Sequence, residues 1–524
     1  MKFPILLALC LCTSVCVQPA SPQAASSAHQ LSNAYGNILN LDSTILTLPL
    51  GPTDPPLQIT LRQAMDLLHD PGLSITVVDQ YQILWARGYG VTGPGSAPPV
   101  TPSTLFQAAS ISKTFTAAAA LWLVERGKLN LDQDVNTELT TWHLPENNFT
   151  TVQKVTLRRL MSHNAGINVG GFNGYPIGAP LPSLARILNG EPPANSPPIR
   201  VDTVPGTLCR YSGGGVTIER ALIDDATHEP FADFLNRTVL RPSGMTDSTF
   251  AQPLPASLIP RAATGTRADG TPIPGKFYVY PELAPDGLWS TPTDLARFAI
   301  EIALSKHGKA NHILSETMTR EMLTKQASGD DGTYGLGFGV GDSPNPDLFI
   351  HNGANQGFQS KLLMLADSGQ GIALMGNSDN FHILAPYIVE TIARSYGWKL
   401  APDLHPALDS LIFIQAARGT PVALAAYQRM AQAGFPGMWQ DVSTLNIFGY
   451  QTLRQQKIQD AILIFQRNVT AYSSDFNTYD SLGEAYMDAG QKDLAIQNYE
   501  KSLQLNPKND NAIVQLRKLQ AQKP

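Results

Sequence analysis

The chain reads Phe106-Gln107-Ala108-Ala109-Ser110-Ile111-Ser112-Lys113-Thr114-Phe115 at the point where its most apolar helix is expected to begin. The serine and the lysine are three residues apart, so one helical turn brings the Ser110 hydroxyl and the Lys113 amine to the same face. A serine hydroxyl is a weak nucleophile until a base takes its proton. The spacing therefore predicts a nucleophile beside its proton acceptor.

The residues around Lys113 predict that the lysine is buried. Phe106 and Ile111 precede it, and Phe115 and the apolar run Ala117–Trp122 follow it. Burial disfavours the ammonium form, so we expect a lowered pKa and an amine that accepts a proton near neutral pH. By itself a Ser-x-x-Lys tetrad occurs by chance about once or twice in a chain of this size, so the assignment depends on further groups.

A glycine-rich cluster around Tyr211 supplies a second proton-handling group. The segment reads Pro205-Gly-Thr-Leu-Cys-Arg-Tyr211-Ser-Gly213-Gly-Gly. The glycines let the backbone approach a ligand closely. A phenol beside cations can relay the serine proton, although Tyr211 taken alone would be an ordinary surface tyrosine.

A third cluster, His351-Asn-Gly353-Ala354-Asn355-Gln-Gly357-Phe, follows a strand signal. Gly353 would let a substrate lie against the strand, and the Ala354 amide would then join the Ser110 amide in an oxyanion hole. We assign His351, Gly353 and Asn355 to substrate binding, together with Gly213. Taken alone, His351 would more often be a histidine with satisfied hydrogen bonds at a strand end.

Strand signals lie on both sides of a mostly helical middle segment. Two β-rich runs between Leu73 and Val91 flank a polar turn, which indicates a hairpin. Further strands are predicted at 334–340, 348–351, 360–366 and 371–377, with a helix over 381–396 after them. This order predicts an α+β fold, in which an antiparallel sheet is assembled from distant segments around a helical subdomain.

The character of the sequence changes after Trp398. A linker is predicted at Pro402–Pro406, and residues 399–440 are assigned to this linker and a helical cap. Small and aromatic residues then recur at one constant interval. Gly449 corresponds to Gly483, Ala461 to Ala495 and Phe465 to Tyr499. Residues 441–524 therefore resemble tetratricopeptide repeats, in which small residues let two helices approach closely.

The three clusters together resemble the serine β-lactamase and penicillin-binding protein superfamily, in particular its class C β-lactamase, D-peptidase and esterase branch. The resemblance covers residues 45–398 and includes the supporting stretches 160–166, 287–297 and 334–338. It implies that Ser110 is the acylated nucleophile, Lys113 its proton acceptor and Tyr211 the group that passes a proton to the leaving group. It also implies an antiparallel sheet flanked by helices, with a helical subdomain across the cleft.

One position departs from that family. The second motif is usually Tyr-x-Asn, in which the asparagine amide holds both the lysine and the acyl amide of the substrate, but here the third position is Gly213. Loss of that amide weakens recognition of β-lactams and peptides, whereas an ester needs no such partner. His351 stands where most members have lysine, and we expect histidine to be only partly protonated near pH 7.

The N-terminus has the pattern of a secretory signal. A lysine precedes the apolar stretch Ile5–Val17, and small residues continue to about Ala28, so residues 1–28 are assigned to a signal peptide. We expect export to the periplasm or the medium. Three cysteines, Cys10, Cys12 and Cys16, fall within this segment, so the cleaved chain would retain Cys209 and no internal disulfide. A lipid anchor at Cys16 fits less well, because Thr13-Ser-Val15 is a poor processing context.

Composition and motifs argue against several other classes of protein. A net charge of −6 without a Lys/Arg run does not suit nucleic acid, and no segment after the signal reaches membrane-spanning length. The chain has no Gly-x-Ser-x-Gly elbow for a Ser-His-Asp hydrolase. Its ten histidines are scattered without a metal-binding pattern, so we expect neither a metal nor another cofactor.

The sequence predicts an exported serine hydrolase that transfers the acyl group of an ester, a D-amino amide or peptide, or a β-lactam. The alternative is a catalytically silent ligand-binding or scaffold protein that works through its repeats. Helical repeats bind peptides or helices in their groove, so a protein or peptide partner is possible in either case. The presence of nucleophile, amine and phenol favours the enzyme.

Overall fold

A computed structural model describes residues 39–40, 42–51, 55–329, 332–342, 344–400, 404–435, 437–438 and 441–521. The predicted signal peptide, with Cys10, Cys12 and Cys16, lies outside these residues, as does part of the predicted linker. No helix in the described ranges combines the length and the apolar character needed to cross a membrane.

The described strands are β1 (Ile45–Leu48), β2 (Leu57–Thr60), β3 (Gly72–Asp79), β4 (Gln82–Gly90), β5 (Phe106–Gln107), β6 (Tyr175–Pro176), β7 (Tyr278–Val279), β8 (Trp289–Ser290), β9 (Ala327–Gly329), β10 (Gly332–Tyr334), β11 (Gly339–Val340), β12 (Leu348–Asn355), β13 (Phe358–Leu365) and β14 (Gln370–Gly376). The α-helices before the predicted linker are α1 (Leu61–Leu67), α2 (Ser112–Glu125), α3 (Asn148–Val152), α4 (Leu157–Met161), α5 (Leu184–Asn189), α6 (Gly213–Thr227), α7 (Phe231–Leu235), α8 (Pro292–Lys306), α9 (Glu316–Leu323) and α10 (Phe381–Tyr396). The later α-helices are α11 (Pro406–Arg418), α12 (Thr420–Ala433), α13 (Ser443–Arg454), α14 (Ile458–Ala471), α15 (Phe476–Asp488), α16 (Lys492–Leu505) and α17 (Asp510–Ala521).

An antiparallel sheet of eight described strands forms the centre of the chain before the predicted linker. Its strand order is β4-β3-β14-β13-β12-β11-β10-β9, so the early hairpin β3–β4 joins strands that follow the whole helical middle segment. β14 pairs with β3 from Gly371↔Val78 to Gly376↔Leu73. The predicted α+β fold with a sheet built from distant segments is confirmed.

The single strand predicted at 334–340 is instead two short strands. β10 ends at Tyr334 and β11 begins at Gly339, and these two residues pair with each other. The turn between them closes through a hydrogen bond from Gly335 N to Phe338 O at 2.9 Å, and Gly337 has a φ of +89°. A positive φ strains any residue except glycine, so the glycine spacing marks a turn and not a strand here.

Helix α2 carries the Ser-x-x-Lys lysine through the middle of the core. Its run Ala117–Ala120 has no exposed surface, and Phe115 stacks on Phe298 of α8 with ring centroids 4.0 Å apart. The helix ends at Glu125 and the chain turns at Gly127, whose φ is +64°. Because α2 is buried on all sides, the first turn of this helix is held firmly.

The repeat helices approach each other where the sequence places glycine. A Cβ on Gly449 of α13 would lie 2.4 Å from the Phe465 ring of α14. A Cβ on Gly483 of α15 would lie 3.1 Å from the Tyr499 ring of α16. The close helix approach expected of tetratricopeptide repeats is therefore present in both pairs.

Two polar contacts attach these helices to the sheet-containing part of the chain. Tyr387 Oη of α10 donates to Asp409 Oδ2 of α11 at 2.8 Å. Gln451 Nε2 of α13 donates to the buried Asn380 Oδ1 at 3.0 Å. The repeat region is thus packed against the segment that follows β14.

Candidate active site

Ser110 lies on a strained turn ahead of α2. The 3-10 turn Ala109–Ile111 holds Ala109 at a φ of +49°, a left-handed conformation that costs a non-glycine residue about 1 kcal/mol or more. Ser112 Oγ bridges the turn to the β8 segment, because it donates to Ala109 O at 2.5 Å and accepts from Leu288 N at 3.0 Å. These contacts fix the strained conformation and hold the Ser110 hydroxyl at the surface of a cavity.

Lys113 is buried beside the serine, as the sequence predicts. Its side chain is 1% exposed, and Nζ donates to Ser110 Oγ at 2.9 Å. The same ammonium donates to the carbonyl of Pro285 at 3.0 Å. The lysine therefore contacts the predicted nucleophile directly.

A carboxylate that the sequence reasoning missed completes this cluster. Ser110 Oγ donates to Asp286 Oδ1 at 3.1 Å, and Lys113 Nζ lies 3.4 Å from the same oxygen. The Asp286 side chain is 5% exposed. Asp286 directly precedes the stretch 287–297, which belongs to the family resemblance. An acidic residue next to that stretch was the feature of the sequence that could have indicated this carboxylate.

The expected lowering of the Lys113 pKa is wrong. Burial alone does lower the pKa of the lysine, but the charge of Asp286 and the hydrogen-bonded Tyr211 phenol outweigh it. The pKa of Lys113 consequently lies above its ordinary value, and the side chain is an ammonium at neutral pH. The sequence showed the burial but not the charged partner.

Tyr211 stands over the lysine, as the carried-over role requires. The Lys113 Nζ lies 5.0 Å from the centre of the Tyr211 ring and interacts with the phenol by a hydrogen bond. The imidazole of His163 packs against the Tyr211 ring at 4.5 Å, and His163 Nδ1 accepts from Ser212 N at 3.3 Å. His163, which belongs to the stretch 160–166, thus positions the tyrosine, a role the sequence did not reveal.

The surroundings of position 213 favour glycine. A Cβ there would lie 3.0 Å from Gly170 O and 3.3 Å from both Gly171 Cα and the Phe172 ring. Gly213 N also donates to Gly170 O at 2.8 Å. A larger side chain would require the segment 170–172 to shift by a few tenths of an ångström, and the buried lysine has its polar partner, Asp286, from another segment.

Strand β12 runs directly along the nucleophile turn. A Cβ on Gly353 would lie 2.2 Å from Ala108 O and 2.3 Å from Ser360 Oγ. Ser360 Oγ itself donates to Ala108 O at 2.8 Å. The glycine therefore permits close approach of the strand to the turn that carries Ser110, whereas the predicted approach of a substrate to Gly353 stays a prediction.

The hairpin register leaves the Ala354 amide at the open edge of β12. Asn355 pairs with Phe358 across the two-residue turn that ends at Gly357, and Ala354 pairs with Gln359. The pair that closes a two-residue hairpin, here Asn355 and Phe358, is a hydrogen-bonded pair. Hydrogen-bonded and non-hydrogen-bonded pairs alternate along an antiparallel ladder, so the N–H of Ala354 in the next pair points away from the partner strand. Ala354 and Ser110 both line the same cavity, where their amides can face one oxyanion.

His351 is buried and uncharged. Burial, together with the nearby charge of Lys113, lowers the pKa of His351 to about 3, and a contact of 2.6 Å from Nδ1 to Asn352 O opposes this weakly. The expectation of partial protonation near pH 7 is therefore wrong, because the histidine is buried and, in addition, lies near the charge of Lys113. Histidine here supplies a neutral polar surface.

Asn355 supports the segment that carries the new carboxylate. Its Nδ2 donates to Gln107 Oε1 at 2.8 Å and to Asp286 O at 3.2 Å. The amide nitrogen is thus engaged within the protein, and direct contact of Asn355 with substrate stays a prediction.

Five of the predicted residues, Ser110, Tyr211, His351, Gly353 and Ala354, line a cavity of about 470 Å³, whereas Lys113, Gly213 and Asn355 are not among its lining residues. All three sequence clusters contribute to its wall, together with strands β10 and β11. The lining residues are Ser110, Tyr211, Gly332, Thr333, Tyr334, Gly339, Val340, Ile350, His351, Asn352, Gly353, Ala354 and Gln359. A neutral cavity with a nucleophile, a phenol and two backbone amides suits attack on an uncharged carbonyl group.

Comparison with known proteins gives two family matches. The family model Beta-lactamase matches residues 58–390, which is more than half of the chain. A tetratricopeptide repeat model matches residues 476–509.

Individual relatives are distant. Protein flp of Staphylococcus aureus is 23% identical over 334 residues, which is 62% of this chain and 62% of that protein. The solved structure of an octameric penicillin-binding protein homologue from Pyrococcus abyssi gives a TM-score of 0.51 at 22% identity, covering 64% of this chain and 76% of the other. The D-alanine carboxypeptidase AmpC from Burkholderia cenocepacia gives 0.50 at 20% identity, covering 64% and 96%. At these identities the likeness to solved structures concerns the fold.

Proposed function

The chain belongs to the Beta-lactamase family, and from that premise we propose that it is a serine hydrolase in which Ser110 takes the acyl group of its substrate. The observation that carries the proposal is the hydrogen-bond chain from Lys113 Nζ to Ser110 Oγ at 2.9 Å and from Ser110 Oγ to Asp286 Oδ1 at 3.1 Å. This arrangement orients the nucleophile and offers its proton an acceptor.

Acylation begins from the ammonium form of Lys113. The hydroxyl proton of Ser110 moves to Asp286 while the Lys113 ammonium stabilises the oxygen that attacks the carbonyl carbon. The carbonyl oxygen becomes an oxyanion that the Ser110 and Ala354 amides bind, and such donors contribute about 3–4 kcal/mol each in other hydrolases. Asp286 therefore takes the role of proton acceptor that the sequence reasoning gave to the lysine.

The leaving group receives its proton from Tyr211. The phenol donates to the departing oxygen or nitrogen and regains a proton from Lys113, with which it shares a hydrogen bond. The proton on Asp286 then returns to the lysine, so one proton has passed from Ser110 to the leaving group and the charges of the site are restored. Water releases the acyl group by the reverse of the same relay.

We propose an ester as the substrate in preference to a β-lactam or a peptide. Gly213 leaves no side-chain amide to hold an acyl amide group, and Gly170, Gly171 and Phe172 pack tightly around this position. His351 is neutral, so it offers no fixed positive charge for the carboxylate that β-lactams carry. An ester with an uncharged alcohol needs neither partner.

The decisive test is the identity of the acylated residue. The protein is treated with a fluorophosphonate and with short-chain nitrophenyl esters, and adducts are located by mass spectrometry of peptides. We expect modification of Ser110 and loss of hydrolysis in Ser110→Ala, whereas Ser103→Ala, which changes an exposed serine nearby, keeps the parent rate. If Ser110→Ala hydrolyses the esters as fast as the parent, the assignment of Ser110 is wrong. If the parent forms no adduct and hydrolyses no ester, the scaffold alternative replaces the enzyme.

Export and the repeat partner are further proposals. The signal-like segment 1–28 motivates export, which the N-terminal sequence of the protein recovered from its native host would test. The tetratricopeptide match at 476–509 supports binding of a protein or peptide by the helical region, as such repeats commonly do.

A further inference from the structure

A second cavity adjoins the first on the far side of Ala354. Its volume is about 480 Å³, and the two cavities share Ala354 and Gln359 in their walls. None of the four residues of the proposed proton relay, Ser110, Lys113, Tyr211 and Asp286, lines the second cavity, and Ser110 and Tyr211 line the first. A substrate bound at Ser110 can therefore extend past Ala354 into a separate compartment.

Two arginines from different parts of the chain line this second cavity. Arg267 comes from the sheet-containing part, next to Thr266, which bridges to Ser378. Arg454 is the last residue of α13, in the repeat region, and is exposed to solvent. The hydrogen bond from Gln451 Nε2 to Asn380 Oδ1 fixes α13 one turn before Arg454. The repeat region thus completes the wall of a cavity that adjoins the cavity of Ser110.

The two guanidinium groups are available to a ligand. Arg267 donates weakly to Pro272 O at 3.5 Å, and among the described residues Arg454 has no hydrogen-bond or ion-pair partner. Asp379 also lines the cavity, but its Oδ1 accepts from Gly357 N at 2.6 Å. Burial raises the pKa of this carboxyl, although the amide and both arginines oppose the change. The cavity therefore carries a net positive charge.

The position of Tyr211 indicates which half of the substrate lies in the second cavity. Tyr211 protonates the leaving group in the proposed reaction, so the leaving group lies in the first cavity, which the tyrosine lines. The acyl chain departs from the same carbonyl carbon in the other direction. Beyond Ala354 that direction leads to the aromatic and amide side chains of the second cavity, among them Phe172, Tyr280 and Gln356.

We propose that the second cavity binds a carboxylate at the far end of the acyl group, between Arg267 and Arg454. The inference rests on the proposed function and names its substrate class, an ester in which one carboxyl of a dicarboxylic acid is esterified and the other is free. Guanidinium groups match a carboxylate in geometry and charge, and a planar pair of donors fixes its orientation. The repeat region then belongs to the substrate site.

The test compares two esters that differ at the end of the acyl chain. Blank-corrected kcat/KM is measured for nitrophenyl hydrogen adipate and for nitrophenyl hexanoate, which have the same chain length and the same leaving group. We expect the parent protein to prefer the adipate ester. Arg454→Gln should lower kcat/KM for this ester about 10- to 100-fold, the range for a hydrogen bond to a charged group, and change the hexanoate rate less than about twofold.

Matched variants separate the charge from a general defect. Arg454→Lys should retain part of the preference, and Arg267→Gln should reduce it independently. Arg517→Gln, which changes an exposed arginine of α17 outside both cavities, should leave both rates at the parent level. Equal thermal unfolding of the variants shows that the fold is retained.

The failures of the two proposals have different signatures. If the parent hydrolyses both esters through Ser110 with equal kcat/KM, or if Arg454→Gln lowers both rates alike, the carboxylate site is wrong while the hydrolase stands. If the parent hydrolyses neither ester and Ser110 takes no acyl group, the proposed function is wrong and the carboxylate site falls with it.

Discussion

Lys113 Nζ lies 3.4 Å from Asp286 Oδ1, and the two side chains are 1% and 5% exposed. Both groups also bond to the Ser110 hydroxyl, so this hydroxyl, the proposed nucleophile, is held between the buried lysine and the buried carboxylate. A buried charge without its partner carries a desolvation penalty of several kcal/mol, so the two residues depend on each other. Because Asp286 contacts Lys113, the lysine has a polar partner although position 213 is a glycine and not the asparagine that is usual in the family.

Replacing Asp286 with asparagine should impair the chemical step. Asp286→Asn keeps the shape but removes the proton acceptor of Ser110, and Lys113 loses the charge that holds up its pKa against burial. We expect kcat/KM for nitrophenyl esters to fall about 10²- to 10⁴-fold, the usual contribution of general base catalysis. Asp233→Asn, at an exposed carboxylate of α7, serves as the control and should match the parent. Full activity in Asp286→Asn would return the role of base to Lys113.

Removing the Tyr211 hydroxyl should harm poor leaving groups most. Nitrophenolate departs without a proton, whereas an alkoxide needs one, and Tyr211→Phe removes the donor while the ring still packs on His163. We expect the loss in kcat/KM to be about tenfold or more greater for an ethyl ester than for a nitrophenyl ester of the same acid. The same ratio in parent and variant would exclude Tyr211 as the proton donor. Tyr278→Phe, outside both cavities, is the matched control.

Local patterns in the sequence predict more of this molecule than long-range ones. The Ser110–Lys113 spacing, the β3–β4 hairpin and the helix Phe381–Tyr396 depend on neighbours along the chain, and all three are present as predicted. Asp286 is far along the chain from the serine that it contacts, with the whole helical middle segment between them, so only the folded chain brings the two together.

The electrostatic errors have the same origin. The apolar neighbours of Lys113 correctly indicate burial, but the sign of a pKa shift depends on charges that arrive from other segments. The family resemblance likewise located His351 but not its burial, which is the main cause of its lowered pKa, nor the nearby lysine charge that adds to the effect. Arg454 lies in a region interpreted as a partner surface, and only its packing against the segment after β14 brings it beside the site.

A methyl group at position 353 should separate β12 from the nucleophile turn. The added Cβ of Gly353→Ala would lie 2.2 Å from Ala108 O, which is backbone and cannot turn aside. We expect the free energy of unfolding to fall by about 3 kcal/mol or more and hydrolysis to be lost. Gly171→Ala, whose Cβ meets nothing within 4 Å, should change stability by less than about 0.5 kcal/mol. Equal stabilities in chemical unfolding would contradict the close approach.

His351 should make the protein less stable in acid. Its pKa is about 3 in the folded protein and 6.5 ordinarily, so the unfolded chain binds a proton in this interval and the folded chain does not. The stability contributed by the neutral histidine is present above the ordinary pKa. It is lost by up to about 1.4 kcal/mol per pH unit as the pH falls from 6.5 towards 3.

The variant His351→Gln removes this dependence. We expect the free energy of unfolding in urea to decrease less between about pH 7 and about pH 5 in the variant than in the parent. His143→Gln, outside the buried site, is the control and should keep the parent slope. A variant with the parent slope would mean that His351 is protonated equally in the folded and unfolded states.

Loosening α13 should weaken recognition of an anionic acyl group without touching the chemistry. Gln451→Ala leaves the buried Asn380 Oδ1 without this donor, which costs about 1–3 kcal/mol, and Arg454 follows on the same helix. We expect KM for nitrophenyl hydrogen adipate to rise several-fold while kcat/KM for nitrophenyl hexanoate stays at the parent value. Gln520→Ala, at an exposed glutamine of α17, controls for general effects on the repeat region. If Gln451→Ala raises KM for both esters equally, α13 supports the whole site and does not act through the arginine.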